Sequence, residues 1–367
     1  MTMRFAPLAA TAALVLSALA FPARADLANG ESILKNTCAA CHGFPPLAGP
    51  DRAANNPQLI ADAINFRVPQ MSFLRGMFTF ADYQDIAAYV AFLQNPTPTF
   101  PNSYQGLWLK FPYESEAGWG INFTHAGTVL FATWFTYDTD GSGMWLVMDN
   151  GAPSAGNPNR FTGNVYRTTA PGAFDSVPFQ SIGPGNYTLV GTLTVNFLDA
   201  DTAEMSYTIN GVSQTKNLSR YIYVANAPKC TLGGTPGSTP NYQDLWWASP
   251  PGSESGWGIN ITHQGDILFG TWFTYQAGGK GMWLVMSGLS KTGNGVYSGV
   301  IDRPTGPNAF SSTTPFNPAL VQHHAVGDAT FTFSDANNGT FRYTVNGVTQ
   351  TKSITRLLLA SPSTVCK

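Results

Sequence analysis

The chain is predicted to fold as a small all-α domain followed by two homologous all-β domains, each an antiparallel barrel or sandwich. Three observations carry this. Helical spacing of apolar residues is confined to the first hundred or so positions, a long internal repeat fills the rest, and the composition is that of a turn-rich β protein. A length of 367 residues suits two or three domains at roughly 150 residues each. Charged residues make up 11% and aromatic residues 13%, with 37 Gly and 26 Pro, which favours strands and turns over helices. The formal net charge is −2 and no basic run occurs. Nucleic acid is therefore not an expected partner, because phosphate binding needs a dense Lys/Arg footprint.

Residues 1–25 read as a signal peptide. Arg4 supplies the positive start, residues 8–21 (LAATAALVLSALAF) the apolar stretch, and Ala23-Arg24-Ala25 the small-x-small cleavage pattern, so cleavage is expected near Ala25. The apolar run is too short and Ala-rich to span a bilayer well. No Cys follows it directly, and no later segment reads as transmembrane. A periplasmic or secreted protein is expected.

Residues 26–95 form the helical domain. In 58–66, Leu59, Ile60, Ala63, Ile64 and Phe66 share a helical face, as do Tyr83, Ile86, Tyr89, Val90 and Leu93 in 81–93. Asp82 suits a helix start. Pro96-Thr97-Pro98 opens a linker at 96–103. Residues 104–230 and 242–367 are then two copies of one β domain, joined by the Gly/Ser/Thr/Pro linker 231–241. Residues 115–125 (SEAGWGINFTH) and 253–263 (SESGWGINITH) agree at nine of eleven positions. FATWFTY (131–137) faces FGTWFTY (269–275), and INGVSQTKNLSR (209–220) faces VNGVTQTKSITR (345–356). Such extent implies duplication. Asn210-Gly211 and Asn346-Gly347 predict type I′ hairpin turns, and each copy is expected to hold roughly eight strands.

Cys38-Ala39-Ala40-Cys41-His42 carries the chemistry. Two thiols three residues apart can bond the two vinyl groups of one haem, and the adjacent imidazole can ligate its iron. A zinc site would need two further Cys or His nearby, and no His follows before His125. A thioredoxin-like reading needs a βαβ context, which is missing. One covalent haem c is therefore expected.

The helical segment resembles the class I cytochrome c family, on the strength of Cys38–His42, the final helix ADYQDIAAYVAFL and a Met between them. The resemblance implies a few helices around a nearly buried haem, with His42 as proximal ligand and either Met71 or Met77 as the distal one. Met71, in VPQMSFLRGM, is preferred, because Met77 leaves little chain before the last helix. The usual Pro after the Met is absent, which keeps Met77 as an alternative. Such a haem implies electron transfer with redox partner proteins rather than catalysis.

The repeated Glu116, Trp119 and His125, with Glu254, Trp257 and His263, are candidates for a ligand cleft, aromatic rings stacking on a bound ring while Glu and His supply hydrogen bonds. The structural alternative makes Gly-Trp-Gly a strand corner, with Glu116 paired to Arg220 or capping a turn. Phe174 and Phe310 read as loop anchors and His323-His324 as a surface loop. Cys230 and Cys366, ten residues after the repeated Arg220 and Arg356, are disulfide candidates in an oxidising compartment. The expectation is an exported monohaem c-type cytochrome acting in electron transfer, its tandem β domains docking it to a partner or binding a polymer or small-molecule ligand. The competing readings are a carbohydrate-, polymer- or surface-binding protein with an accessory haem, and a haem-linked periplasmic oxidoreductase.

Overall fold

A computed structural model describes residues 26–42, 50–94, 103–311 and 313–367. The expected signal peptide at 1–25 and nearly all of the linker at 96–103 lie outside the described residues. The chain divides into two compact units, residues 1–96 and 97–367.

The first unit is helical. Helix α1 (Leu27–Ile33) runs through a π-helical turn (Leu34–Cys38) into the short α2 (Ala39–His42). Helix α3 (Pro57–Asp62) is capped by Asn56, whose side chain accepts from Leu59 N, and is followed by a second π turn (Ala63–Arg67) and a 3-10 turn (Pro69–Leu74). Helix α4 (Phe80–Gln94) closes the unit. Thr79 and Asp82 cap α4 reciprocally: Thr79 N donates to the Asp82 carboxylate at 2.8 Å and Asp82 N to Thr79 Oγ1 at 3.2 Å, as in a capping box. Tyr83, Ile86, Ala87 and Val90 fall on one face of α4 and are buried with Leu34, Ile60 and Leu74. Gly30 lets α1 cross α4 closely, since a Cβ there would stand 2.2 Å from Asp85 O.

The second unit is two closed eight-stranded antiparallel barrels, β1–β8 and β10–β17, in consecutive strand order. The first runs from β1 (Gly106–Lys110) to β8 (Val212–Arg220), the second from β10 (Asp244–Ala248) to β17 (Val348–Arg356). Closure comes from β1 pairing with β8 and β10 with β17, Trp108 facing Arg220 and Trp246 facing Arg356. Both Asn-Gly turns take positive φ at each central residue and join paired strands through two-residue loops, Ile209 to Val212 and Val345 to Val348. Short strands β9 (Cys230–Leu232) and β18 (Thr364–Cys366) pair, and a disulfide joins Cys230 to Cys366. Thr231 and Leu232, expected to open a linker, are thus strand. His323 and His324, expected in a loop, are exposed on strand β15 (Gln322–Phe333).

The barrels are related by a pseudo-two-fold. Gln105 Nε2 donates to Gln243 O at 3.0 Å, and Gln243 Nε2 to Gln105 O at 3.1 Å. Trp145 Nε1 donates to Thr274 O, and Trp283 Nε1 to Thr136 O. Each barrel also sends a loop over the mouth of the other. Phe174 packs on Trp272 and Tyr343 of the second barrel, while Phe310 packs on Trp134 and Tyr207 of the first. Gln350 Nε2 holds Asp175 O, and Gln214 Nε2 holds Ser311 O. These two Phe are therefore more than anchors of their own loops: each closes its neighbour. No helix of the described residues is long and apolar enough to cross a membrane.

Candidate haem site and the repeated residues of the barrels

The path of α1 and α2 sets the candidate haem-attachment residues Cys38, Cys41 and His42. Their start is tied to α4: Asp26 N donates to Asp85 Oδ1 at 2.7 Å, and Asn29 Nδ2 bridges Asp82 and Asp85 at 2.9 and 2.7 Å. The π turn ends at Cys38, which is half-buried against the domain core, as Met71 is from the 3-10 turn. Burial pushes the Cys38 thiol above its ordinary pKa, with Cys41 adding to the shift. Cys41 is exposed and His42 intermediate, both on the single turn of α2, where side chains three and four positions apart share a face.

A covalent haem fits the residues present. The donor set is two thiols, an imidazole and two thioethers within one small domain. The same domain carries large apolar side chains in the open: Phe66 at 81%, Phe73 at 64%, Met77 at 60% and Phe80 at 51% of full exposure. A macrocycle needs apolar surface of this kind. Met71 and Met77 differ in setting, the former half-buried on the core and the latter exposed. The sequence reading missed Phe73 and Phe80 and treated Phe66 as a core residue. The run MSFLRGMFTF (71–80) is dense enough in aromatics to have signalled an apolar surface, but not which rings a core would take.

In the barrels the structure brings Glu116 and Trp119 together and sets His125 apart. Glu116 accepts from Lys216 Nζ with both oxygens, at 2.7 and 2.8 Å, and from Trp119 Nε1 at 3.0 Å. Glu254 repeats this with Lys352 at 2.9 Å and Trp257 Nε1 at 2.9 Å. The partner of Glu116 is thus Lys216, four residues before the expected Arg220; Arg220 instead pairs with Asp201 at 2.9 Å and lies 4.9 Å over the Trp108 ring. His125 is six residues beyond Trp119 on β2 (Gly120–Ala126), about 20 Å of strand away. It is fully buried, stacks on Tyr104 at 5.3 Å and accepts from Tyr104 N with Nδ1. His263 is placed identically on Tyr242 and meets Tyr297 Oη at 3.2 Å. Burial holds both imidazoles far below their usual pKa, at about 3 for His125 and about 4 for His263. Glu, Trp and His of each copy therefore do not line one cleft: the Glu–Trp–Lys groups tie one end of each barrel, and the His plugs the other. Among the described residues, no group of three or more His, Cys, Asp or Glu could hold a metal ion.

A small helical domain presenting C-x-x-C-H from the end of its π turn through α2, with a capped final helix, has the arrangement of a cytochrome c domain. Residues 25–90 match the model of a family described as cytochrome C oxidase, cbb3-type, subunit III, which supports a class I cytochrome c domain over that segment. The β domains are not assigned to any family, and no curated protein matches the chain.

Proposed function

We propose that the protein is an exported monohaem c-type cytochrome that passes single electrons between partner proteins, its β barrels serving docking or ligand binding. Cys38 and Cys41 would hold the cofactor through thioether bonds, His42 and Met71 would ligate its iron, and Phe66, Phe73 and Phe80 would supply apolar cover. Held by these residues, a bound haem would supply one-electron exchange. The observation that carries this reading is the placement of Cys38 and Met71 on the edge of one apolar core, in the segment that matches a cytochrome family. The short chain between Met77 and the start of α4 favours Met71 as the ligand. Replacement of each Met by Ala tests it: Met71→Ala abolishes the Met–iron absorbance band of the oxidised protein and Met77→Ala retains it. Loss of the band in Met77→Ala alone would reverse the assignment.

A further inference from the structure

The barrel pair departs from its symmetry along the seam between the two barrels. On one side of the pseudo-two-fold, a cavity of about 580 Å³ opens between the barrels, walled by Phe131, Trp145 and Tyr166 of the first and Trp247, Trp257 and Leu357 of the second. This volume is in the usual range for small-molecule sites. On the other side the equivalent of Leu357 is Tyr221, whose ring packs on Phe269, the equivalent of Phe131, at 6.0 Å. Leu109 there replaces Trp247 and lies close over Gly120 with Phe135. Phe131 and Phe269 both sit at register shifts on equivalent strands, β3 (Val129–Tyr137) and β12 (Ile267–Tyr275), and such a bulge re-aims a side chain. The copies thus diverged at matching positions so that one side is filled by a ring and the other is left open and ringed by aromatics.

We propose that this cavity binds a planar aromatic molecule that bears a hydroxyl group and no negative charge. Three features select that chemistry. The walls are indole, phenol and phenyl rings with aliphatic Val147 and Leu357, which suit offset and edge-to-face contacts with a flat ring. The two threonine hydroxyls of the lining are already engaged, Thr133 Oγ1 with Asn260 and Thr168 Oγ1 with Tyr275 Oη. A sugar would bury several hydroxyls here with few partners, at a cost that an aromatic ring avoids. One described lining residue is charged, Asp149; its carboxylate accepts a hydroxyl proton and repels an anion. Its counterpart in the second copy is Ser287, so the charge belongs to the open side. Burial raises the Asp149 pKa, as expected for a carboxyl at the edge of an apolar cavity.

Calorimetric titration of the full-length protein with 2-naphthol tests the proposal, with 2-naphthoate and a glucose oligomer as comparison probes. Saturable 2-naphthol binding is expected, at least tenfold tighter than 2-naphthoate. Leu357→Tyr, which installs the ring present on the closed side, weakens it at least tenfold with an unchanged haem spectrum and melting temperature. Val147→Phe narrows the cavity from the opposite barrel and gives the same loss should Leu357→Tyr fold poorly. No saturable binding of 2-naphthol, equal affinity for 2-naphthoate, binding of the glucose oligomer instead, or unchanged binding in a folded cavity variant would each overturn the proposal. The haem spectrum of the same samples reports separately on the electron-transfer reading.

Discussion

His125 shows how a repeated polar residue becomes structural. Its ring is stacked on Tyr104 and edged by Phe161 at 5.4 Å, so a charge there would lie in hydrocarbon without compensation. The native state holds it neutral down to about pH 3, while the unfolded chain protonates near 6.5. Its contribution to stability is therefore complete above pH 6.5 and falls as the pH drops below that value, by roughly 1.4 kcal/mol per unit. Comparing urea unfolding of the wild type and His125→Gln checks this. The stability advantage of the wild type is expected to shrink steadily from pH 6.5 to 4, and a constant advantage would contradict the buried neutral imidazole. Glu116 is structural for a different reason: Lys216 and Trp119 engage both of its oxygens. Sequence spacing revealed that these residues recur, but not their partners, because Lys216 is a hundred residues from Glu116 and reaches it only when β8 closes the barrel.

At the level of elements, local signals were legible where local physics decides. The cap of α4, the helical faces of α3 and α4 and the two Asn-Gly hairpins follow from dihedral preference and periodicity. The sequence left barrel and sandwich open, since closure rests on β1 pairing with β8 across more than a hundred residues. The exchanged loops were less visible still. Phe310 belongs by sequence to the second copy, yet its ring lies 5.1 Å from Trp134 in the first. Phe310→Ala is accordingly expected to cost about 2 kcal/mol, below the full core value because the ring is half-buried. It should lower amide-exchange protection in β3 and in β7 (Thr202–Ile209), across the interface from the mutation. Loss of protection confined to the second barrel would contradict the exchange.

At the scale of the whole molecule, the two barrels form a mutually closed pair rather than two independent beads. Loops, indole hydrogen bonds and the glutamine pair all cross between copies, and the Cys230–Cys366 disulfide joins the ends of the two repeats. The other unit is a helical domain about one quarter the length of this pair, and it carries the residues that define the proposed chemistry. The C-x-x-C-H motif was legible because haem attachment demands a fixed short spacing. The aromatic cover was not, because exposure depends on which rings the core leaves out. Covalent attachment of one haem to Cys38 and Cys41 is decided by the intact mass of the protein after acid denaturation, from cells that attach haem c. The expected mass is the polypeptide plus one haem, and the polypeptide alone in Cys38→Ser/Cys41→Ser; a wild-type mass without haem, or with two, would contradict covalent attachment of one haem there.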